Sequence, residues 1–231
     1  MKSIEIYKKK AAEKACEFIQ DGMIIGMGSG STTMYALERI GELIRGGHLK
    51  KVIGIPSSLN TAKLAGKFGI PLTDFKNHAQ IDLTLDGADE VDHNLNMIKG
   101  GGGAHLREKI VFQASKRNIV VVDKSKLSQK LGSKRPVPIE ILPFAVEVES
   151  QFLESIGAKI NLRKIEDGNP YLTDQQNLII DASFGIIEKP DELDSLLNSR
   201  AGIMAHGLFI GMASEVIVAG EEGIQIFSST S

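Results

Sequence analysis

The chain has 231 residues, 42% hydrophobic and 24% charged, with a formal net charge of −2, the make-up of a soluble globular protein of one or two domains. Near-neutral charge and 5% aromatic content without tryptophan argue against a nucleic-acid partner held by basic patches or stacked bases. No apolar run approaches the ~20 residues that a membrane span needs. The single cysteine, Cys16, excludes an internal disulfide and reads as a buried thiol rather than a nucleophile, since no histidine lies near it in sequence.

The opening MKSIEIYKKK lacks a signal-type apolar core, so a cytoplasmic protein is expected. Lys8-Lys9-Lys10 reads as the solvated face of a first helix. Ile4, Tyr7, Ala11, Ala15 and Phe18 carry that helix, and Asp21-Gly22 ends it. The spacing then predicts a strand over Met23 to Met27, a helix over Thr32 to Arg45, a strand over Val52 to Ile55 and a helix over Leu59 to Phe68. Ile81 to Leu85 is a strand stopping at Asp86, Ala104 to Lys116 a helix, and Ile119 to Val122 a strand stopping at Asp123. Short apolar strands alternating with helices imply a parallel sheet covered on both faces.

The order changes near Gly132. Strand Val137 to Val146, helix Ser150 to Ile156, strand Ala158 to Lys164, strand Asn177 to Asp181, helix Asp191 to Leu197 and a strand near Ile203 to Ile210 follow. That βαββαβ order is ferredoxin-like. Glu215 to Ala219 and Ile224 to Phe227 form a last strand pair that returns to the first sheet. The expected fold is therefore α/β: a parallel-sheet domain over residues 1–131 and 205–231, with a smaller ferredoxin-like α+β domain, residues 132–204, inserted before the C-terminal strands.

Ligands of open α/β sheets bind beyond the carboxyl ends of the strands. Gly28-Ser29-Gly30-Ser31-Thr32, Pro56-Ser57-Ser58, Asp86-Gly87-Ala88-Asp89 and Asp123-Lys124-Ser125-Lys126 all stand at such ends. Between Asp86 and Glu108 the chain also gathers Asp92, Lys99 and the glycines Gly100 to Gly103. A four-glycine run costs much backbone entropy, more than packing alone explains, and suits backbone N–H groups closing around a ligand. Glu108, one turn into the following helix, could serve the helix dipole alone; beside Lys99, Asp86 and Asp89 it reads as catalytic. Glu90 and Asp92 read as solvated turn residues, and His105 as a helix-surface residue.

Other chemistries fit less well. A dinucleotide fingerprint needs glycine where Thr33 stands and an acid where Pro56-Ser57-Ser58 stands. The hydroxyls of Ser29, Ser31 and Thr32 suit a phosphate or sugar; the same residues also fit a plain turn with helix capping. Asp92-x-Asn94-x-Asn96 begins like a calcium loop, but Met97 and Gly103 occupy its glycine and glutamate positions, and no zinc spacing is present.

GxGSTT at Gly28 to Thr33, DGADEVD at Asp86 to Asp92, KGGGGA at Lys99 to Ala104, DxSK at Asp123 to Lys126, PVPIEILP at Pro136 to Pro143 and GLF at Gly207 to Phe209 together resemble the ribose-5-phosphate isomerase type A family, nearly end to end. The resemblance implies a Rossmann-like domain with a smaller α+β domain inserted late. It implies an enzyme that interconverts ribose 5-phosphate and ribulose 5-phosphate through a cis-enediolate, with Glu108 as base and Asp86, Asp89 and Lys99 completing the catalytic set. Substrate contacts carried over are Ser29, Gly30, Ser31, Thr32, Asp86, Gly87, Ala88, Asp89, Lys99, Gly100, Gly101, Gly102 and Lys126. No metal or organic cofactor is needed for such a proton shuttle, and a homodimer or dimer of dimers without nucleic acid or membrane partners is implied. Ser29 stands where the family often has Thr, and His105-Leu106 where Leu-Thr is more usual. The alternative reading from another class is a non-catalytic sugar-phosphate-binding regulatory module.

Overall fold

A computed structural model describes residues 2–229. In chain order the elements are α1 (Lys2–Cys16), β1 (Ile24–Met27), α2 (Ser31–Arg45), β2 (Ile53–Pro56), α3 (Leu59–Phe68) and β3 (Leu83–Asp86). Next come two-residue strands β4 (Glu90–Val91) and β5 (Met97–Ile98), helix α4 (His105–Gln113) and strand β6 (Asn118–Asp123). β7 (Val137–Ile141), α5 (Val146–Ser155), β8 (Lys159–Leu162), β9 (Leu178–Ser183), α6 (Pro190–Asn198) and β10 (Ile203–His206) follow, then β11 (Leu208–Phe209), β12 (Glu215–Gly220) and β13 (Gly223–Ser228).

Two compact units emerge: unit 1 is Met1–Ala88, Arg107–Lys126 and Met212–Ser231, and unit 2 is Asp89–Leu106 and Leu127–Gly211. Unit 1 holds a six-stranded sheet in the order β13-β12-β6-β3-β1-β2. All its pairings are parallel except β12 with the edge strand β13, so the last strand pair does return to the first sheet. β6 is buried at every residue, as a strand covered on both faces must be. Ala11, Ala12 and Ala15 of α1 and Ala36, Leu37 and Ile40 of α2 pack with Ile25, Leu83, Ile119 and Ile217 of the strands. Small residues on α1 let it sit close, and the i, i+1, i+4 spacing on α2 sets its buried face. Cys16 lies within this core with its thiol toward the Ala36 carbonyl, 3.6 Å away, and burial pushes the thiol up to about 12. The α3 helix begins on Ser58, which accepts from the Thr61 N–H at 3.0 Å, and ends on Gly69 at φ 75°, the left-handed cap that glycine favours.

Unit 2 holds an antiparallel sheet in the order β10-β7-β9-β8, which numbers 4-1-3-2 within this segment and is the ferredoxin-like arrangement. Its core joins Val137, Ile139 and Ile141 of β7 to Leu153 of α5, Ile180 of β9 and Leu197 of α6. A second sheet, β11-β5-β4, is too short in every strand to leave a periodic signal. The sequence expectation has no such sheet. It runs β10 and β11 together over Ile203 to Ile210; the chain instead changes sheets at Gly207, whose N–H donates to the Pro138 carbonyl and whose carbonyl accepts from the Lys99 N–H. The strand expected to reach Val146 stops at Ile141, because Leu142 and Pro143 turn the chain into α5. No described helix is long and apolar enough to cross a membrane.

Candidate active site

In unit 1, the carboxyl ends of β1, β3 and β6 lie side by side in the sheet. Asp86, the last residue of β3, is fully buried. Its Oδ1 accepts from the Gly87 N–H at 2.7 Å and the Ser29 N–H at 3.1 Å, with the Thr33 hydroxyl at 3.4 Å. The carboxylate therefore fastens the loop after β1 to the loop after β3. Gly28 is what admits it, since a Cβ there would overlap the Asp86 carboxyl group.

The Ser29 hydroxyl sits among those of Ser58, Ser57 and Thr61 at 2.9, 3.0 and 3.1 Å. It spends its bonds within the loop cluster rather than on a helix cap. The capping alternative fails for α2 more generally: its N-cap is Gly30, at φ 105°, with no side-chain cap hydrogen bond. Gly30 and Ser31 are exposed and Thr32 is half-buried, so the first turn of a fifteen-residue helix leaves N–H groups for an anion. Lys126, half-buried, closes the single 3-10 turn after β6.

Glu108 sits in the first turn of α4 and is 4% exposed. The far end of that helix is anchored at the start of β3: the Ile81 N–H donates to the Ala114 carbonyl and the Lys116 N–H to the Ile81 carbonyl, both at 2.9 Å. Val111 packs with Ile55 and Ile81 on the sheet. The helix thus runs back along the sheet, and its amino end with Glu108 lies toward the carboxyl edge that carries Asp86.

In unit 2, β4 and β5 form a tight hairpin whose turn is held by Asp92, accepting from the Asn96 and Asn94 N–H groups at 2.8 and 2.9 Å. Asp89 precedes the hairpin and Lys99 follows it. The Lys99 side chain is buried, with Nζ 5.4 Å from the centre of the Phe209 ring, a cation–π approach. Asp89 Oδ2 accepts from the Gly101 N–H at 2.7 Å.

The glycine run is tighter than a flexible loop. A Cβ at Gly100 would stand 2.7 Å from His105 Nδ1, one at Gly101 2.9 Å from the Asp89 carboxylate, and one at Gly103 2.5 Å from the Tyr171 hydroxyl. Gly100 and Gly103 also have positive φ. Packing therefore accounts for three of the four glycines, against the expectation from entropy alone; Gly102 has open space beside it.

Three solvent-side expectations are overturned. Glu90 is fully buried, and its carboxylate takes the Ser133 hydroxyl at 2.8 Å and the N–H groups of Arg135, Gly132 and Lys134 at 3.0 to 3.3 Å. Asp92 is buried by the hairpin turn it closes. His105 is fully buried, its Nε2 4.0 Å from Glu140 Oε2, because the glycine turn folds the first residue of α4 inward.

Sequence reasoning missed Arg163 and Tyr171. Arg163 donates to the carbonyls of Gly100 and Gly101 at 3.0 and 3.1 Å and Tyr171 to that of Gly102 at 3.2 Å. Both carboxylate oxygens of Asp181 accept from one edge of the Arg163 guanidinium, Nε and Nη2, the Nε bond at 2.9 Å. Only the register of β8 on β9, which sets Asn161 opposite Asp181, brings this pair together; an isolated RKIEDGNPY string carries no such signal.

With this geometry in view, the chain matches the family model of ribose 5-phosphate isomerase A (phosphoriboisomerase A) over residues 53–223. It is 51% identical to the ribose-5-phosphate isomerase A of Desulfatibacillum aliphaticivorans, covering 97% of this chain and 98% of that one. To the Chloroflexus aurantiacus enzyme it is 47% identical, over 96% and 93% of the two chains. The ribose 5-phosphate isomerase structure from Plasmodium falciparum superposes with a TM-score of 0.95 at 39% identity, covering 99% of this chain and all of that one. A D-ribose-5-phosphate isomerase solved in complex with phospho-erythronic acid gives 0.95 at 40% identity, over 97% and 99%. The chain belongs to the ribose 5-phosphate isomerase A family, aldose–ketose isomerases that interconvert ribose 5-phosphate and ribulose 5-phosphate.

Proposed function

We propose that Glu108 is the base of this isomerisation. It removes the C2 proton of the open-chain aldose, the electron pair forms the C1–C2 double bond of a cis-enediolate, and negative charge develops on O1. The enediol proton moves from O2 to O1, and Glu108 returns its proton to C1 to leave the ketone at C2. General-base action of this kind is worth about 10²–10⁴ in rate. Lys99 and the amides of Gly100 and Gly102 stabilise the oxyanion, the Gly101 N–H being held by Asp89, and each good donor contributes roughly 3 kcal/mol. Asp86 and Asp89, with Gly87 and Ala88 between them, orient the sugar hydroxyls and assist ring opening.

The observation that carries the reading is a buried glutamate at the amino end of α4, at the same sheet edge as Asp86. The uncapped start of α2 supports a phosphate at Gly30, Ser31 and Thr32, with Ser29 bracing that loop and Lys126 supplying positive charge. A relative's complex with phospho-erythronic acid, a phosphorylated four-carbon sugar acid, supports the same ligand class here. Glu108→Gln keeps the side chain's size and removes the base. We expect turnover of ribose 5-phosphate to fall about 10²–10⁴-fold with unchanged thermal unfolding; equal turnover in a folded variant takes the role from Glu108.

The enzyme is further read as a cytoplasmic homodimer or dimer of dimers. Supporting an assembly, one segment of unit 2 exposes Leu142, Phe144 and Val148, Phe144 at 95%, and so large an exposed aromatic suits an interface. Phe144→Ser should lower the molar mass measured by light scattering; an unchanged mass excludes this segment from the contact.

A further inference from the structure

We propose that Arg163, clamped by Asp181 and assisted by Tyr171, is a positioning residue for the isomerase's glycine loop, fixing which way its peptide groups face. In a trans peptide the C=O of one residue and the N–H of the next point in opposite directions. Arg163 Nη1 takes the Gly100 carbonyl at 3.0 Å while the Gly101 N–H of that same peptide reaches Asp89 Oδ2 at 2.7 Å. Arg163 and Asp89 thus hold the two ends of one peptide unit. The next peptide offers its Gly101 carbonyl to the same nitrogen at 3.1 Å, which sends the Gly102 N–H to the side opposite Arg163. Tyr171 repeats the device on the Gly102 carbonyl at 3.2 Å.

Only an arginine meets all these demands. Its planar fork gives Nε and Nη2 to Asp181 and keeps Nη1 for two carbonyls; a lysine ammonium presents no such fixed geometry. Asp181 holds the guanidinium from β9, and both side chains are largely shielded, at 16% and 18% exposure. Tyr171 is tied to the same arm of chain, its N–H donating to the Arg163 carbonyl at 2.9 Å. A positive group at the carbonyl end of a peptide also polarises its N–H, strengthening it as a donor.

The inference rests on the assignment of the glycine loop and Lys99 to the developing oxyanion, so both are tested together. Steady-state turnover of ribose 5-phosphate is measured for Arg163→Lys, Tyr171→Phe and Lys99→Met, with thermal unfolding of each. Loosening the loop by a fraction of an ångström should lower kcat about 10–100-fold for Arg163→Lys and about 3–10-fold for Tyr171→Phe, with KM within about 3-fold of wild type. The affinity for phospho-erythronic acid should fall in step with kcat. Wild-type kcat in Arg163→Lys and Tyr171→Phe, beside a collapsed Lys99→Met, overturns the positioning role alone. Wild-type kcat in Lys99→Met overturns the oxyanion assignment beneath it. Should Arg163→Lys fail to fold, Tyr171→Phe, which deletes one hydroxyl, decides by the same kcat and KM criterion.

Discussion

The Gly101 amide donates to Asp89 Oδ2 at 2.7 Å, and a Cβ on Gly101 would stand 2.9 Å from Asp89 Oδ1. Hydrogen bond and steric limit act on one carboxylate, so Gly101→Ala should push Asp89 aside. Turnover should fall about 10²-fold from the misplacement, while the flexible end of Asp89 yields enough for the chain to fold. Gly102→Ala, with open space beside it and no positive φ, should keep or raise stability by about 0.4–1 kcal/mol. Parallel urea titrations and assays of the two variants check the contrast; equal losses of stability would remove it.

Gly207 stands where the chain leaves β10 for β11, and an added Cβ would overlap the Lys99 carbonyl and stand 2.6 Å from Pro138 Cδ. Backbone cannot move aside as a side-chain tip does. Gly207→Ala should cost about 1–3 kcal/mol, read as a lower urea midpoint, and should reduce turnover through the shifted Lys99 backbone. A variant with wild-type midpoint would show that the two sheets can part at this point.

Glu140, on β7, is fully buried. Burial pushes its carboxyl above the ordinary value; hydrogen bonds from Asn177 and Thr173 pull it down, and the Asp174 charge adds to the rise. Of the groups facing it, Thr173 Oγ1 and Asn177 Nδ2 lie at 2.8 and 2.9 Å and His105 Nε2 at 4.0 Å. An acid raised in the folded state binds its proton more tightly there than in the unfolded chain. Its stabilising contribution is complete below the ordinary carboxylate value near 4.5 and is lost as pH climbs through the raised value. Glu140→Gln should therefore flatten the pH dependence, gaining stability relative to wild type at pH 8 compared with pH 5. Urea unfolding at both pH values gives the slope, and an unaltered slope would show that Glu140 does not titrate in this range.

Legibility in the sequence followed the length of each element. β1, β3 and β6 announced themselves as apolar runs ending in Gly28, Asp86 and Asp123, and the βαββαβ order of unit 2 was equally plain. The three-stranded sheet that carries Lys99 was not, because two-residue strands have no period to read. Glu90 and Asp92 looked solvated because they sit among polar turn residues; Asp92 is buried by the hairpin turn it closes, and Glu90 by a loop about forty residues further on that brings Gly132, Lys134 and Arg135 N–H groups to its carboxylate. His105 was misread for a related reason: helix periodicity says nothing about a first residue whose direction is set by the preceding glycine turn. The glycine run reads in the sequence as backbone laid open for a ligand; a packing demand on three of its members, set by His105, Asp89 and Tyr171, comes from residues that periodicity does not place beside it.

Cys16, the only cysteine, is 3% exposed and its thiol is pushed up to about 12, so near pH 8 the folded enzyme presents almost no thiolate to an alkylating reagent. The native chain is thereby a ready-made background for single-site labelling. A cysteine placed at Gly102, where added atoms meet open space, can take a fluorophore or spin label without first removing Cys16. Such a probe would follow the glycine loop through turnover.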